Sequence, residues 1–401
     1  MSVILVRYAE IALKGANRSL FENQLRKNII RKLEIPDSRV QLLHSQIVVR
    51  VPENLVAQAL DRLREVFGIA WFAPAAPCTS EMEAILRTGR RVAAGEIQPG
   101  QTFAVRAQRS DKSLPFTSVD IERKLGTAVL KATAGQVDLE NPEVTVHVVA
   151  SYEGSYIFIE KMEGPGGLPV GTSGQVLALL SGGIDSIAAA YMLAKRGAQV
   201  DYLHFHVFPD ITAILDSPIT EIVQGLDRYT AEGTATSKLF LASYLPFEMR
   251  VLDLGGEEQR YELVLFRRLM VRVGEELARR YGYQALLLGD SLGQVASQTM
   301  ENIVAVDEAI SLSIFRPLVG MDKKEIMELV REIGLFQAAT APYKDCCSII
   351  AANPVIKAYL PIVHKLEKRL DMEQIVQDVV GSIELVEVAD LVKTPTGDGS
   401  R

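Results

Sequence analysis

Cysteine is scarce in this sequence, and long apolar runs are missing from it. Three cysteines in 401 residues are too few, and too odd in number, for a disulfide framework, which indicates a reducing, cytoplasmic setting. No apolar run approaches the roughly 20 residues that are needed to span a bilayer. The N-terminal stretch MSVILVRYAEIALKG has charges within a short apolar run and no cleavage-like site, unlike a signal peptide. The composition, 48% hydrophobic and 23% charged, predicts packed globular domains, and this length favours two or three of them.

Positive charge is in deficit overall, but not at the N-terminus. The formal net charge is −7, which argues against a general nucleic-acid binder. Residues 1–55 hold nine Lys and Arg against five Asp and Glu, whereas residues 164–401 hold 22 against 31. This distribution predicts either an anionic partner at a basic N-terminal module or an ordinary solvated basic surface.

The order of apolar patterns divides the chain into segments of different character. Strand-like runs and amphipathic helices alternate through residues 1–163, which predicts short α+β modules with antiparallel strands. Residues 14–35 form a helical pattern, and residues 40–51 are strand-like throughout. A Gly/Pro-rich linker at 164–174 leads into residues 175–392, where apolar strands alternate with helices. That part predicts an α/β domain with a doubly wound, mostly parallel sheet, followed by a tail at residues 393–401.

A lysine is missing where a phosphate-binding loop usually has one. The stretch QVLALLSGGIDSIAAAYMLAKRG joins an apolar strand to an Ala-rich helix through Ser-Gly-Gly-Ile-Asp-Ser. A Walker A loop has Lys after its last glycine, but Gly183 is followed by Ile184. The spacings of a dinucleotide fingerprint, GxGxxG, and of a hydrolase elbow, GxSxG, are also absent. These exclusions leave a Ser/Gly loop at the carboxyl end of a strand.

The residues of this loop suit a pyrophosphate group. Gly182 and Gly183 let backbone N–H groups approach an anion, and the following helix presents its positive end. Ser181 and Ser186 add hydroxyl donors. Asp185 would repel bare phosphate, so it fits as a Mg²⁺ ligand or as a helix cap. Without a lysine for γ-transfer, the loop is expected to hold β,γ-pyrophosphate as a leaving group while the α-phosphate of ATP is attacked; the alternative is an ordinary capped turn.

Two adjacent cysteines form the second chemical signal. The stretch PYKDCCSI is polar and begins with Pro, unlike a core segment. Lys344 can stabilise a nearby thiolate, while Asp345 opposes that effect. Structural zinc sites usually separate their cysteines by two to four residues, so a metal role is not favoured. Cys346 and Cys347 are therefore either reactive or two inert thiols, and Cys78 is expected in a core.

Four stretches together resemble one enzyme family. They are VRYAEIALKGANRSLFENQLRKNI, YIFIEKMEGPGGLPVGTSGQVLALLSGGIDS, GDSLGQVASQTMENI and PYKDCCSIIAANP. SGGIDS resembles the loop of the PP-loop ATP pyrophosphatases, which adenylate a substrate and release pyrophosphate. The four blocks in this order resemble the tRNA 4-thiouridine synthetase or tRNA sulfurtransferase (ThiI-like) family, which also supplies sulfur in thiamine biosynthesis. The resemblance implies a ferredoxin-like domain at 1–55, a THUMP RNA-binding domain at 56–163 and a PP-loop catalytic domain at 175–392.

The resemblance also implies roles for individual residues. Beside the loop residues Ser181, Gly182, Gly183, Asp185 and Ser186, it assigns contacts with ATP to Leu179, Leu180, His204, Phe205, Arg267, Gly289 and Gln298. Asp185 is in addition the expected Mg²⁺ ligand. Contacts with tRNA are expected from Lys14, Arg18, Arg26, Lys27 and Arg31 in the basic N-terminal segment and from Arg106, Arg109 and Lys112 in the THUMP region. Taken singly, His204 fits a core histidine and Arg267 a surface charge equally well.

The family's chemistry implies a mechanism and partners. The second cysteine of its block bears sulfur, so Cys347 is the expected carrier and Cys346 a candidate for resolving a spent disulfide. The carbonyl oxygen of a tRNA uridine would attack the α-phosphate of ATP, which releases pyrophosphate. Persulfide sulfur would then displace AMP at carbon 4, giving 4-thiouridine at position 8. No cysteine follows Cys347, so a rhodanese domain is expected to be absent and a cysteine desulfurase to load Cys347. A thiamine sulfur-carrier protein and a homodimer are further implications.

The sequence departs from the family pattern around the expected acceptor pocket. Ile187 stands where Pro usually follows the last Ser of the loop, and GDS replaces GES. Residues 207–245 lack the usual Pro-Pro-Phe-Thr stretch. Two alternatives therefore stay open: a PP-loop enzyme that adenylates another RNA base or a carrier protein, and a tRNA-binding relative without catalysis.

Overall fold

The computed structural model describes most of the chain as two compact units. It describes residues 1–8, 10–43, 46–230, 237–344, 346 and 353–391. The first unit is Met1–Thr172 and the second is Ser173–Arg401, so the division falls within the segment 164–174. Across the described ranges, no helix is both long and apolar enough to cross a membrane.

One mixed sheet runs through the first unit. Its strands are β1 (Ser2–Arg7), β2 (Val40–Leu43), β3 (Gln46–Val51), β4 (Trp71–Cys78), β5 (Thr102–Arg109), β6 (Gln136–Val137), β7 (Val144–Ser151), β8 (Gly154–Phe158) and β9 (Met162–Glu163). The helices are α1 (Arg18–Leu33), α2 (Val56–Leu63), α3 (Met82–Glu96) and α4 (Ser118–Thr133). The strand order is β2-β3-β1-β4-β8-β7-β5-β6, with β9 paired to β4. β5 pairs in parallel with β6 and β7, and the other pairs are antiparallel.

Helix α1 forms as the spacing of its apolar residues predicts. Leu25, Ile29 and Leu33 recur every four residues and are buried in the core of the first unit. The strand-like run at 40–51, in contrast, is a hairpin in which β2 and β3 pair antiparallel. The run contains no Gly, Pro or Asn to mark a turn, so its pattern alone does not show the reversal.

The core of the first half of this unit extends past residue 55, where the ferredoxin-like domain was expected to end. Ala59 and Leu63 of α2 and Phe72 of β4 are buried in one cluster with Ile4 of β1. A boundary at 55 would separate α2 from the core on which it packs. An amphipathic pattern shows that a helix has a buried face, but not which core covers that face.

The sheet of the first unit bends until its two halves face each other. Four strand steps separate β1 from β5, about 19 Å in a flat sheet. Yet Arg7 Nη2 on β1 donates to Gln108 Oε1 on β5 at 3.1 Å. Leu5 and Tyr156 belong to a core that both halves share, and β4, which contains two prolines, runs from one half to the other. The two halves therefore form one packed body.

A second sheet forms the centre of the second unit. Its strands are β10 (Gln175–Leu179), β11 (Gln199–His206), β12 (Lys238–Ser243), β13 (Ala285–Leu287), β14 (Ile314–Phe315) and β15 (Glu384–Glu387). The helices are α5 (Ile184–Lys195), α6 (Thr212–Leu215), α7 (Pro218–Thr230), α8 (Leu245–Val251), α9 (Glu262–Tyr281), α10 (Met300–Asp307), α11 (Lys323–Glu332), α12 (Phe336–Thr340), α13 (Leu360–Leu370) and α14 (Met372–Gly381). The order is β14-β13-β10-β11-β12-β15, and only the β12–β15 pair is antiparallel among these strands. This is the doubly wound sheet that the sequence predicts, with one antiparallel strand at its edge.

The chain changes direction across this sheet between β10 and β13. β11 and β12 follow β10 to one side, whereas β13 and β14 lie on its other side. The carboxyl ends of β10 and β13 therefore flank a crevice, which is where open α/β sheets bind their ligands. SGGIDS follows the first of these strands and GDSLGQ follows the second.

A buried arginine joins the helices beside this sheet. Arg268 on α9 is 1% exposed, and its guanidinium donates two bonds to Glu367, at 2.7 and 3.0 Å, and one to Glu308 at 2.7 Å. Burial alone would lower the pKa of Arg268, but the two carboxylates raise it above its ordinary value. The arginine therefore stays charged within the core.

Replacement of this arginine is expected to destabilise the second unit. Arg268→Leu leaves two carboxylates without their buried partner, and breaking a buried pair costs about 3–5 kcal/mol. Hydrogen exchange of the α9 amides in the intact protein measures the loss. The control is Arg279→Leu at an exposed pair on the same helix, for which less than about 1 kcal/mol is expected. Equal losses of protection in the two variants would contradict the structural role of Arg268.

Candidate active site

The glycine loop joins β10 to α5 and leaves the first turn of the helix open. Gly183 is the N-cap residue of α5, and it has no side chain to bond the first-turn N–H groups. Ser186 Oγ lies 2.9 Å from the carbonyl oxygen of Ser181 and 3.0 Å from that of Gly183, so its hydroxyl ties the loop back onto the helix. The positive end of α5 is therefore uncapped and suited to an anion.

A second loop packs against the first turn of this helix. Gly289 follows β13, and a Cβ atom built on it would lie 2.6 Å from the carbonyl carbon of Asp185 and 2.7 Å from the nitrogen of Ser186. Real Cβ atoms do not approach a backbone so closely, so a residue without Cβ is needed here. The contact brings the loops after β10 and β13 together at the point where the sheet changes direction.

A cavity of about 420 Å³ lies beside the two loops. Its size suits a small-molecule ligand, and apolar side chains such as Leu263, Met270 and Leu288 line part of it. Several residues predicted to contact ATP share this lining: Leu179, Ser181, Asp185, Ser186, Arg267, Gly289 and Gln298. The other predicted contacts lie outside the lining: Leu180, Gly182, Gly183, His204 and Phe205. Gly182 and Gly183 nevertheless form the loop itself.

One buried acceptor in the cavity wall has no partner among the described residues. Gln298 is 7% exposed, and its Oε1 makes no hydrogen bond there. An unsatisfied buried acceptor costs about 1–3 kcal/mol unless a ligand supplies a donor. Gln298 therefore fits a ligand with N–H donors, such as the exocyclic amine of adenine.

Arg267 is held in the cavity wall by a buried carboxylate. Its Nη2 lies 2.7 and 3.0 Å from the two oxygens of Asp290, which is 3% exposed and also accepts from Arg316 Nε at 2.8 Å. Burial alone would raise the pKa of Asp290, but the two guanidinium groups outweigh it and hold the pKa below its ordinary value. Asp290 thereby fixes Arg267 in the cavity wall, where its guanidinium can bind an anionic group of a ligand.

A lysine from a distant part of the chain reaches Asp185, at the start of the helix that follows the glycine loop. Lys323, the first residue of α11, has its Nζ 2.9 Å from Asp185 Oδ1. Gln294 Nε2 donates to the other oxygen, Oδ2, at 2.9 Å. Asp322 and Glu325 form a capping box that fixes the backbone from which Lys323 extends. A positive charge therefore lies beside the glycine loop, although the loop contains none.

The Mg²⁺ role expected of Asp185 stays a prediction, because the contacts that this carboxylate makes are with other side chains. Both of its oxygens already accept hydrogen bonds, from Lys323 and from Gln294. In the described parts of the chain, no cluster of three or more His, Cys, Asp or Glu could hold a metal ion. Mg²⁺ can bind through one carboxylate and substrate phosphates, but Asp185 would first have to release Lys323. The structure supports Asp185 as the partner of that lysine.

His204 and Phe205 lie behind the loop, not in the cavity. His204 is fully buried, with Nδ1 2.8 Å from the carbonyl oxygen of Leu180 and Nε2 2.7 Å from the hydroxyl of Tyr343. Burial lowers the pKa of His204 to about 4, so the ring is neutral. Phe205 packs edge-on against Phe266. Both side chains support the loop from the neighbouring strand, and the ATP contacts that the resemblance implies for these two residues stay a prediction.

The cysteines have different environments. Cys346 is 1% exposed within the core of the second unit, and its thiol donates to the carbonyl of Phe205 at 3.3 Å. That is the setting of an anchoring thiol, in contrast to the resolving role considered from the sequence. Cys347, the expected sulfur carrier, lies outside the described residues. Cys78 is half-buried against a core, and burial raises its pKa.

Known proteins are similar in sequence to this chain over nearly its whole length. A family model described as thiamine biosynthesis protein (ThiI) matches residues 171–372, the ThiI ferredoxin-like domain matches 3–73, and a THUMP domain matches 79–160. Probable tRNA sulfurtransferases of Moorella thermoacetica and Alkaliphilus metalliredigens are 36% and 34% identical; the matches cover 97% of this chain and 99% and 98% of theirs. The chain belongs to the tRNA sulfurtransferase (ThiI) family.

A solved structure extends the similarity to three dimensions. The crystal structure of a 4-thiouridine synthetase–RNA complex with bound ATP matches with a TM-score of 0.85 and 30% identity, and covers 96% of this chain and 99% of its own. The family identified from the four sequence stretches is confirmed. The predicted fold, with ferredoxin-like, THUMP and PP-loop parts, is confirmed as well.

In this ThiI-family chain, the basic residues expected to contact RNA differ in their exposure and in their contacts. Some arginines already bind neighbouring residues: Arg18 binds Glu22 and Tyr8, Arg26 binds Asp37 and Val40, and Arg109 binds Leu114 and Phe116. Lys14 lies over the ring of Phe21, and Arg106 donates to the carbonyl of Leu139. Lys27, Arg31, Arg106 and Lys112 are exposed. The exposed group offers its charge more readily to phosphates, and the RNA contacts remain a prediction.

Sequence reasoning missed several residues of this ThiI-family site. Asp290 and Gln294 lie within the quoted stretch GDSLGQVASQ, so their block was recognised while their contacts were not. Tyr343 lies in PYKDCCSI in the same way. Lys323 has only a local signal, the capped start of a helix, and nothing there points to a loop 138 residues earlier.

A methyl group on Gly289 is expected to weaken ATP binding. Gly289→Ala forces the loops after β10 and β13 apart, and such overpacking costs about 1–3 kcal/mol, which corresponds to about 5- to 160-fold in affinity when all of it falls on the bound state. Equilibrium binding of a non-hydrolysable ATP analogue measures the effect. Gly320→Ala is the control, because a Cβ atom there meets nothing within 4 Å. Unchanged affinity in Gly289→Ala would contradict the close approach.

Proposed function

We propose that this chain is an ATP-dependent tRNA uracil 4-sulfurtransferase that forms 4-thiouridine at position 8 of tRNA. The observation that carries the proposal is the uncapped N-terminus of α5. It follows a glycine loop that contains no lysine, and it lies beside a cavity of ligand size. Relatives named tRNA sulfurtransferase, and the 4-thiouridine synthetase seen with RNA and ATP, support the choice of substrates. This is the function that the sequence predicts.

The residues around the loop suit adenylation of a base. O4 of the target uracil attacks the α-phosphorus of ATP, and the bond to β,γ-pyrophosphate breaks. The departing pyrophosphate gains negative charge, which in this proposal the N–H groups of α5 and the ammonium of Lys323 stabilise. Arg267 adds a fixed cation in the cavity wall. Because Asp185 pairs with Lys323, it orients that cation and its own charge is compensated.

The second half-reaction replaces the adenylate with sulfur. We assign the sulfur to a persulfide on Cys347, whose terminal sulfur bonds to C4 while AMP leaves with the former O4. A thiol then attacks the remaining S–S bond, which releases 4-thiouridine and leaves Cys347 in a disulfide with that thiol. Cys346 is buried and bonded to a backbone carbonyl, so an external thiol is the proposed reductant.

The proposed reaction sets the partners of the chain. tRNA is the substrate, and the exposed basic residues of the first unit are its proposed contacts. A cysteine desulfurase is the proposed source of persulfide, and a thiamine sulfur-carrier protein a second acceptor of it. Together with a tRNA substrate, the scarcity of cysteine favours a cytoplasmic location. The homodimer rests on family analogy alone.

Reconstitution tests this function. Protein incubated with ATP, cysteine, a cysteine desulfurase, a thiol and tRNA lacking 4-thiouridine is expected to form 4-thiouridine at uridine 8, measured by mass spectrometry of digested tRNA. Cys347→Ser is expected to abolish thiolation but to retain tRNA-dependent release of pyrophosphate, because adenylation needs no thiol. Cys78→Ser, in the other unit, is the matched control and should remain active.

Each result bears on a different part of the proposal. Sulfur on another nucleoside would change the acceptor, and normal thiolation by Cys347→Ser would exclude Cys347 as the carrier. A wild-type protein that binds tRNA but releases no pyrophosphate would be a non-catalytic relative.

Substitutions at two adjacent lysines distinguish a positive charge that acts at the site from one that only lies on the surface. Lys323→Ala is expected to slow pyrophosphate release about 10²-fold, because it removes a preorganised cation next to the leaving group. Lys324→Ala is the control, since Lys324 is 83% exposed and its Nζ lies 3.8 Å from Glu328 Oε1. Its rate is expected to stay within about two-fold of the wild type. Similar rates in both variants would contradict the role of Lys323.

A further inference from the structure

Tyr343 meets three parts of the second unit at one point. Its hydroxyl lies 2.7 Å from His204 Nε2, and its ring centroid lies 5.9 Å from that of Phe208. A Cβ atom built on Gly182 would lie 3.2 Å from Cδ1 of the same ring. Gly182 belongs to the glycine loop, and His204 and Phe208 lie at the end of β11 and just after it. Tyr343 itself belongs to the stretch PYKDCC that leads into the cysteine pair.

The hydrogen bonds around His204 have only one consistent direction. The carbonyl of Leu180 can only accept, so Nδ1 carries the proton and donates to it at 2.8 Å. Because the buried ring is neutral, Nε2 is an acceptor and the hydroxyl of Tyr343 is its donor. A relay of two hydrogen bonds therefore runs from Leu180, the residue before Ser181, to Tyr343.

A second bond anchors the same segment three residues later. The thiol of Cys346 donates to the carbonyl of Phe205, which is adjacent to His204 on β11. Positions 343 and 346 are thus both tied to the end of one strand, beside the glycine loop. Cys347 follows directly in the sequence.

We propose that Tyr343 is a positioning residue that couples the glycine loop to the cysteine segment. A nucleotide held at the loop presses on the same backbone that His204 and the ring of Tyr343 contact, so its binding is transmitted to the segment leading into Cys347. The proposal rests on the proposed function, in which adenylation at the loop precedes delivery of sulfur. Through this coupling, the thiol responds to an occupied loop.

Tyr343→Phe tests the relay, because it removes only the hydroxyl and keeps the ring against Gly182. We expect pyrophosphate release and affinity for an ATP analogue to change less than about two-fold, and single-turnover sulfur transfer from preloaded persulfide to fall about ten-fold. Tyr359→Phe makes the same chemical change at a residue that is 62% exposed, and should leave every rate unchanged. Unchanged sulfur transfer in Tyr343→Phe would overturn the proposal.

A labelling experiment tests the coupling without relying on activity. In a Cys78→Ser background, a non-hydrolysable ATP analogue is expected to change the rate of Cys347 alkylation by a maleimide about three-fold or more, and Tyr343→Phe to remove that response. Long-range ¹H–¹⁵N spectra should show the Nδ1–H form of His204 in both proteins, with the Nε2 signal moved in the variant. No response in the parent protein, or an equal response in both, would overturn the coupling. A preserved response in a protein that thiolates no tRNA would support the coupling and contradict the proposed function.

Discussion

The positive end of α5 has no side-chain cap, and the arrangement of the candidate site depends on this open helix end. The first N–H groups of a helix have no partner within the helix, so any side chain that capped them would compete with a phosphate. Gly183 leaves the end uncapped, and Gly289 lets the loop after β13 approach the same turn. The cations then reach this site from elements outside the loop, with Arg267 on α9 and Lys323 on α11. The glycines let backbone groups come close together, and side chains from distant parts of the chain provide the positive charge.

This division explains an acidic residue at an anion-binding site. Asp185 alone would repel a phosphate, but Lys323 and Gln294 each bond one of its oxygens. The pair compensates the charge of the carboxylate and orients the ammonium, and the proposed release of pyrophosphate depends on such preorganisation. Asp290 acts on Arg267 in the same manner from the other strand end. Each cation of the site is thus held by a carboxylate that has its own place in the fold.

The first unit meets a different constraint. Its two halves share one bent sheet and a common core, so the ferredoxin-like and THUMP parts form a single packed body. Several of its basic residues are used to hold that body together, as with Arg109, which donates to the carbonyls of Leu114 and Phe116. The positive charge counted in the sequence is therefore larger than the charge readily offered to an RNA. The proposed salt-dependent binding of RNA therefore depends on the basic side chains that remain exposed.

The sequence by itself determined the doubly wound sheet, the glycine loop and the family, because periodicity, loop chemistry and the order of four stretches are local properties. The absence of lysine from SGGIDS was sufficient to favour release of pyrophosphate. Only the tertiary structure decided that Lys323 faces Asp185, that His204 is turned inward onto Leu180 and Tyr343, and that Cys346 is an anchor. The physical reason is that these contacts depend on which strands adjoin and on what packs behind them. Residues 138 positions apart meet at one sheet edge, and no local pattern records which side chain will lie there.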